Sequence, residues 1–382
     1  MSLHKAPRKV CFVVSTAMTV NAFLQEPIKI LSQENEIYVA ANLNKTDLIP
    51  VIKDTNRLLF VPLERKVSLY KDIVAVISLI KLFRVHQFDI VHSMTPKAGL
   101  IVMLASFLAG VKVRIHTFTG QVWYTRTGVR RRILKFFDKV ASFFASHILV
   151  DSPTQRDFLL SEGVISNKNT SVLGKGSVCG VDLNKFKPNP AARNTLRSEL
   201  GFGVNDEVIL FLGRLSFDKG ILDLVSAFIK VQAHRPSVKL LIVGPDEEDL
   251  LGKVNDIAKN CMGSIRHVGF TNAPQDYMAA SDLLCLPSYR EGFGGVVIEA
   301  AAVGIPAVGS RIYGLMDSIA ENESGLLFEA RNVSALIDCL MQLVENKSLR
   351  LKLGQNARDR VKKHFSSSLL AAAWLDYYRT KL

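Results

Sequence analysis

A glycine-rich turn between an apolar run and a small-residue segment constrains this chain more than any other feature. Residues 282–288 form an apolar run of strand length, and three glycines follow within residues 292–295. The next residues predict an apolar helix of about two to three turns, which ends at Gly304 and Pro306. A strand, a glycine loop and a helix in this order place the helix N-terminus at the carboxyl edge of a parallel sheet. Its free amides and dipole favour a phosphate there.

Two glutamates flank this turn, Glu291 in the loop and Glu299 inside the predicted helix. Neither suits a phosphate, because like charges repel, but a carboxylate beside a phosphate pocket suits hydroxyl groups. We therefore expect ribose and sugar as ligands. An isolated pair at this spacing is more often a solvated loop residue and a helix-surface residue. The glycines between them and Pro306 after them favour the functional interpretation.

A pair of cations, Arg214 and Lys219, follows a predicted strand over residues 208–212 and precedes a predicted helix. Breaking a sugar–diphosphate bond builds negative charge on the leaving group. Two fixed cations and a helix N-terminus stabilise that charge without a metal. A metal bound to such a diphosphate would need paired acidic ligands such as Asp-x-Asp, and the comparable acidic cluster here, residues 246–249, is interpreted as a solvated loop. We expect neither a metal nor another cofactor.

Residues 287–306 match, nearly throughout, the pattern Pro-Ser-x-x-Glu-Gly-Phe-Gly-x-x-x-x-Glu-Ala-x-Ala-x-Gly-x-Pro. This segment resembles the retaining glycosyltransferases of family 4. The resemblance is strong over residues 205–330 and looser over residues 10–190. It implies an α/β chain with the GT-B fold, in which two Rossmann-like doubly wound parallel-sheet domains face an interdomain cleft.

The resemblance also assigns roles to the residues of the turn. It implies that Glu299 holds the ribose hydroxyls and Glu291 the hydroxyls of the donor sugar. Backbone amides would face the diphosphate or sugar at Gly292, Phe293 and Gly294. No residue is an obvious covalent nucleophile, so same-face attack assisted by the departing phosphate is expected.

The first half of the chain alternates predicted strands with helices, which favours a parallel sheet that binds ligands at its carboxyl edge. The strands are predicted at residues 10–14, 36–41, 60–62, 88–92, 111–117 and 147–151. A helix over residues 72–83 carries Ile73, Val76, Ile77 and Ile80 on one face. Further strands are predicted at residues 239–244, 265–270, 282–287, 307–308 and 326–328.

Three polar residues lie at strand ends of this first half. Relatives often place a Gly-Gly turn at the first strand end, and in its absence Thr16 is the candidate phosphate contact. His92 directly follows a buried strand and is expected to be structural. His116 also ends a strand, where a single histidine is more often satisfied by backbone. The resemblance implies that it faces the donor sugar, and we assign it a catalytic role together with Glu291.

The polar segment 187–190 is the predicted domain boundary. Residues 1–187 are then the acceptor-binding domain and residues 188–365 the nucleotide-sugar-binding domain. The resemblance implies that a C-terminal helix, residues 366–382, crosses back to the first domain. Residues 174–186 resemble the Gly-Val-Asp-x-x-x-Phe strand of the family.

Positive charge is concentrated in the first half of the chain. Residues 1–190 contain 26 Lys and Arg against 13 Asp and Glu, whereas residues 191–382 contain 22 of each. This asymmetry indicates an anionic partner for the first domain.

A basic amphipathic helix is predicted over residues 126–144. One face carries Ile133, Phe137, Val140 and Phe144, and the opposite face carries Arg131, Arg132, Lys135 and Lys139. For such a pattern, a helix that packs on the core and leaves its basic side in solvent is about as common as a helix whose basic side binds a partner. The charge count favours an anionic bilayer or lipid diphosphate at the basic face, with Phe136 and Phe143 entering the headgroup layer. Lys97 and Arg126 are assigned to the same acceptor side.

Composition and local motifs bear on several other classes of protein. The longest apolar run, residues 98–111, is shorter than a membrane span and predicts a buried helix. The five scattered cysteines indicate reduced thiols in the cytoplasm. A basic nucleic-acid-binding protein remains an alternative, although the chain lacks the interleaved aromatic and basic residues expected for base stacking. A dinucleotide-dependent oxidoreductase also remains, but it would need glycines in residues 15–19, which contain none.

The sequence therefore predicts a peripheral enzyme on the cytoplasmic face of the inner membrane. It transfers a hexose, expected to be an N-acetylhexosamine, from a nucleoside diphosphate sugar. Uracil is expected as the base from the subgroup resemblance, in which residues 116–123 and the basic helix look like O-antigen or capsule enzymes that use polyprenyl-diphosphate sugars. A soluble acceptor remains an alternative.

Overall fold

The computed structural model describes residues 7–16, 19–42, 57–64 and 68–382 and divides into two compact units. Unit 1 is Met1–Cys179 with Ser367–Leu382, and unit 2 is Gly180–Ser366. The first division therefore lies ahead of the predicted boundary at Lys187. The reason is local pairing: the Val181 amide donates to the Phe365 carbonyl at 2.8 Å, which ties this segment to the end of unit 2.

The described part of unit 1 contains a seven-stranded parallel sheet in the order β3-β2-β1-β4-β5-β6-β7. Its strands are β1 Arg8–Val13, β2 Asn35–Ala41, β3 Leu58–Phe60, β4 Ile90–Met94, β5 Val113–Phe118, β6 His147–Val150 and β7 Thr170–Val172. Their central residues are buried on both faces, as continuous apolar runs require. Ser93 lies opposite His116 in the register of β4 and β5, toward the carboxyl ends of both strands.

The helices of unit 1 cover both faces of this sheet. A π-helical turn, Val20–Leu24, leads into α1 Gln25–Leu31, and α2 Leu69–His86, α3 Pro96–Leu108, α4 Gly128–Phe144 and α5 Pro153–Ser161 follow. The helices α2, α3 and α4 pack side by side over one face. The predicted basic helix thus begins at Gly128 and leaves Arg126 in the preceding turn.

Unit 2 contains a six-stranded parallel sheet in the order β10-β9-β8-β11-β12-β13. Its strands are β8 Glu207–Leu212, β9 Val238–Val243, β10 Ile265–Val268, β11 Leu283–Leu286, β12 Ala307–Ser310 and β13 Gly325–Phe328. Its helices are α6 Pro190–Leu200, α7 Ile221–His234, α8 Leu251–Ile257, α9 Pro274–Ala280, α10 Gly295–Val303, α11 Leu315–Ser318, α12 Val333–Glu345 and α13 Lys347–His364. Every predicted strand of this half is present within a few residues.

The C-terminal helix, α14 Ser367–Thr380, belongs to unit 1. It packs against α1, and Trp374 is fully buried with its indole N–H donating to the Val178 carbonyl at 2.7 Å. The predicted strand within residues 174–186 is wrong, because this segment makes turns and a single isolated bridge at Val181. The five cysteines form no disulfide. No helix in the described ranges is long and apolar enough to cross a bilayer.

Candidate active site

The glycine turn of unit 2 lies between β11 and α10, as the sequence predicts. Gly294 has φ of +78° and closes the turn, and a Cβ there would stand 2.5 Å from the Leu315 Cδ2. Gly314, with φ of +82°, packs so close that its Cβ would stand 2.4 Å from the Gly292 carbonyl oxygen. Glycine is required at both positions, because a side chain would strain the backbone and push the turn outward. The buried Phe293 ring packs on Phe365 and anchors the turn.

Four consecutive amides at the start of α10 donate no hydrogen bond within the part of the chain that the structure describes. They belong to Gly292, Phe293, Gly294 and Gly295. Unpaired N–H groups at a helix N-terminus attract anions, and the helix dipole adds to this attraction. The turn is therefore a ready anion site whose backbone is already held in place.

Lys219 and Glu291 form an ion pair beside this turn, with 2.5 Å between Nζ and Oε1. The buried Ser288 hydroxyl donates to the same carboxylate oxygen at 2.8 Å. The two charged side chains are only 20% and 11% exposed. Removing either partner would therefore leave a largely buried charge without its counter-charge.

Glycine at position 220 explains how two residues that are distant in sequence meet. Gly220 has φ of +68°, and a Cβ there would stand 2.1 Å from the Pro287 carbonyl oxygen. The loop after β8 thus lies directly against the end of β11. That contact brings Lys219, which ends a 3-10 turn, next to Glu291.

Arg214 pairs with Glu247 at 2.6 Å, and both side chains are about one-third exposed. Glu247 belongs to the acidic segment, which is a loop with residues 247–249 exposed, as the sequence predicts, although its carboxylates contact neighbouring groups. The Glu248 carboxylate accepts from the Phe217 amide at 2.8 Å, and Asp246 accepts from two amides at the start of α8. The segment holds the loop after β8 in place and occupies the guanidinium of Arg214.

Glu299 lies in the second turn of α10 and accepts no hydrogen bond among the described residues. Burial raises the pKa of its carboxyl to about 7, and the positive charge of Lys185 opposes this rise. An ionised carboxylate without a partner can accept two hydroxyl hydrogen bonds at once. That property fits the ribose role that the family resemblance implies.

Several supporting residues of unit 2 were missed from the sequence. Asp218 accepts from Arg290 at 3.1 Å, and its carbonyl accepts from the Tyr289 amide at 2.8 Å. The Tyr289 hydroxyl donates to Asp223 at 2.7 Å. These contacts fasten the loop after β8 to the loop after β11. These residues are close in sequence to Lys219 or Glu291, and that closeness is the signal that could have identified them.

In unit 1, His116 is fully buried and lies inside β5, two residues before the strand ends, and not at the strand end as the sequence predicts. Its Nδ1 is 2.9 Å from the Ser93 hydroxyl, and its Nε2 has no hydrogen-bond partner in the described residues. Burial lowers the pKa of this imidazole to about 3, so the ring is neutral. A Cβ at Gly99 would stand 2.3 Å from the ring, so α3 admits His116 only because residue 99 is glycine.

The other two polar residues that the sequence placed at strand ends have hydrogen-bond partners, and His92 lies inside β4 and not after it. Both ring nitrogens of His92 are bonded, at 2.7 Å to the Tyr378 hydroxyl and at 2.7 Å to the Thr117 hydroxyl, which confirms its structural role. The Thr16 hydroxyl lies 3.1 Å from that of Thr19. Thr16 is therefore engaged within its own turn.

Three of the cations assigned to the acceptor side form ion pairs with carboxylates of unit 1. Lys97 forms an ion pair with Asp72 at 2.6 Å, and the buried Nε of Arg126 has no partner among the described residues. Arg131 and Lys135 pair with Glu162 at 2.7 and 2.5 Å.

The prediction for the two faces of α4 is wrong. Arg131 and Lys135 lie over the ring of the buried Trp123, at 5.1 and 5.7 Å from its centroid, and so face the protein. Of the face predicted opposite the basic one, Ile133 and Phe137 are 49% and 41% exposed, whereas Val140 and Phe144 are half-buried. Cation–π contact and the ion pairs with Glu162 turn the helix this way. Arg132 and Lys139 remain exposed.

In the described ranges, no three His, Cys, Asp or Glu residues are grouped so that they could hold a metal ion.

Family models match both units of the chain. A model described as glycosyl transferases group 1 matches residues 192–360, and one described as a glycosyl transferase 4-like domain matches residues 49–176. The chain is 30% identical over 330 residues to the capsular polysaccharide biosynthesis glycosyltransferase CapM of Staphylococcus aureus, covering 84% of each chain.

Further similarity extends to an enzyme from Escherichia coli and to a solved structure. The first is UDP-Gal:alpha-D-GlcNAc-diphosphoundecaprenol alpha-1,3-galactosyltransferase, 28% identical over 332 residues, covering 84% of this chain and 82% of the enzyme. The crystal structure of Anabaena Alr3699/HepE in complex with UDP superposes with a TM-score of 0.80 at 20% identity, covering 98% of this chain and 100% of that one. The chain therefore belongs to the GT-B glycosyltransferases of group 1 and resembles the capsule and O-antigen enzymes among them.

Proposed function

We propose that this glycosyltransferase moves a hexose, an N-acetylhexosamine, from a UDP-sugar to a saccharide on a polyprenyl diphosphate, with retention of configuration and without a metal. The observation that carries the proposal is the row of four unpaired amides at the start of α10, between Glu291 and Glu299. This arrangement offers donors to a diphosphate and acceptors to sugar hydroxyls within one turn and one helix.

The positive groups of unit 2 are suited to stabilise the diphosphate that leaves when the sugar–phosphate bond breaks. Cleavage of the sugar–phosphate bond leaves a diphosphate with one more negative charge than the bound donor. Amides at a helix N-terminus, Lys219 and Arg214 stabilise that charge, which is the largest electrostatic change in the reaction. The departing phosphate takes the proton of the acceptor hydroxyl, and the new bond forms on the same face of the sugar. In this scheme Glu291 orients the sugar, and the neutral His116 contacts it as the resemblance implies.

The proposed substrates rest on the relatives. UDP is the ligand in the HepE structure, and the name of the E. coli relative specifies a UDP-sugar donor and a diphosphoundecaprenol acceptor. The excess positive charge of the first half favours an anionic, lipid-linked acceptor. We place the enzyme at the cytoplasmic face of the inner membrane, as a peripheral protein.

The test is turnover of a panel of UDP-, GDP- and ADP-sugars by the full chain, with and without membrane lipid extract. We expect transfer from UDP-N-acetylhexosamines to lipid, and NMR of the product should show the anomeric configuration of the donor. Glu299→Gln should raise the KM for the donor, while Glu323→Gln, an exposed carboxylate of unit 2, serves as the control. An inverted product, or preference for another base, would contradict the proposal.

A further inference from the structure

Exposed apolar side chains are concentrated on three neighbouring helices of unit 1. Of the 23 large hydrophobic residues exposed in the described ranges, six lie on α2, two on α3 and five on α4. These helices pack side by side over one face of the sheet. Soluble monomers seldom expose large continuous apolar patches, and such a patch indicates an interaction surface.

The outward face of α4 is the most regular part of this surface. Its exposed apolar residues follow Val129 at spacings of 4, 7, 8 and 14 positions, which places them in one arc of roughly 120°. They are Val129, Ile133, Phe136, Phe137 and Phe143, exposed by 68, 49, 60, 41 and 80%. We call these five residues the apolar stripe.

Exposed cations border the apolar stripe on both sides. At 100° per residue, Arg132 and Lys139 lie along one edge and Arg130 along the other, and all three are exposed. Arg131 and Lys135 are not part of this border, since they face Trp123 and Glu162. An apolar centre with basic edges is the pattern of a helix that lies in a bilayer interface.

The helix α2 repeats this pattern. Tyr70, Ile73 and Ile77 are 79, 52 and 49% exposed along one side. The exposed Lys81 and Arg84 continue the same side toward the C-terminus. The inward face of α2 is formed instead by Ala75, Leu79 and Phe83.

We propose that the apolar stripe of α4, extended by α2, is the membrane-docking surface of unit 1 and that it binds the anionic phospholipid interface. The apolar side chains enter the boundary between headgroups and acyl chains, while Arg130, Arg132 and Lys139 contact lipid phosphates. The helix lies in the plane of the interface. The proposal rests on the proposed function in one respect, that the acceptor is carried by a lipid.

Charge argues for a bilayer over a second copy of this chain. In a two-fold dimer through the stripe, the basic edges of both copies would face each other, and like charges at close range are unfavourable. An anionic bilayer, in contrast, offers lipid phosphates to the cations along both edges of the stripe. We therefore commit to lipid and treat the dimer as an outcome of the test.

The experiment is sedimentation with vesicles of phosphatidylglycerol and phosphatidylethanolamine, compared with phosphatidylcholine vesicles. The stripe variant carries Ile133→Ser, Phe136→Ser and Phe143→Ser. The matched control removes three exposed apolar residues from unit 2 by Val204→Ser, Phe270→Ser and Leu351→Ser. An edge variant carries Arg130→Gln, Arg132→Gln and Lys139→Gln.

The wild type and the control should bind anionic vesicles alike, and the stripe variant should lose binding even at low salt. The edge variant should bind about a hundredfold more weakly, from roughly fivefold per charge. Phe143→Trp should show a blue shift in emission on vesicle addition, because both native tryptophans are already buried. Val204→Trp should show none.

Several results would overturn the inference. Wild-type binding by the stripe variant would do so, as would an unshifted Phe143→Trp spectrum. A third result would be a wild type that forms a dimer and binds no vesicles, combined with a stripe variant that is a monomer. Failure of the proposed function is distinguishable, because it appears as absence of UDP-sugar turnover by the wild type. Turnover of a detergent-dispersed acceptor should be unchanged in the stripe variant.

Discussion

Replacing Gly99 by alanine would displace the ring of His116, and so tests whether catalysis depends on where that ring lies. Three ring atoms of His116 lie 2.3, 2.6 and 2.8 Å from the place of the new Cβ. Ordinary contact requires about 3.5 Å, so the ring must move by about 1 Å. The movement breaks the 2.9 Å hydrogen bond to Ser93.

The stability change should be small because two effects oppose each other. Overpacking destabilises by about 1–3 kcal/mol, and the lost hydrogen bond adds about 1 kcal/mol. Alanine in the interior of α3 restores about 1 kcal/mol relative to glycine. A net loss of about 1–3 kcal/mol lowers the melting temperature by a few degrees and leaves the protein folded. A 1 Å displacement of a catalytic group, in contrast, can reduce the rate about a hundredfold.

The assay measures kcat/KM for transfer together with thermal unfolding. Gly252→Ala is the control, because no atom lies within 4 Å of its Cβ position. In a His116→Ala background, Gly99→Ala should cause no further loss of activity. Wild-type kcat/KM in the single variant, or an equal loss in the His116→Ala background, would refute a role that acts through His116.

Four further predictions concern charge and pH. Glu247→Gln frees Arg214 and should lower the donor KM several-fold, and steady-state kinetics that show no change would argue against phosphate binding by Arg214. Activity should rise with pH as Glu299 ionises with its pKa of about 7, and a Glu299→Gln profile with the same rise would exclude that cause. Burial raises the pKa of Asp151 from 3.8 to about 7, so its carboxylate destabilises the fold increasingly from about pH 4 and fully above pH 7. Melting of Asp151→Asn should therefore match the wild type at pH 3.5 and exceed it at pH 8, by roughly 4 kcal/mol at most; equal curves at pH 8 would contradict this. Transfer should continue in EDTA, and loss that manganese reverses would show a metal requirement.

The sequence alone determined the two parallel sheets and the turn at the start of α10. Strands buried on both faces need continuous apolar runs, and such runs are visible in a single chain. The glycines, the two glutamates and the cation pair are likewise local signals, because each depends on a short segment between a strand and a helix. Glu299 and the loop after β11 could be placed for this reason.

Tertiary structure alone decided which contacts these residues make. Lys219 and Glu291 lie 72 positions apart, and the pairing of Arg214 with Glu247 spans 33. Neither pairing has a signal in the sequence. The helix α4 has two faces that could both pack inward, and its orientation was set by Trp123 and by Glu162, which belongs to a later segment. A periodic pattern shows that a helix has two different faces, but only the residues that pack against it decide which face is buried.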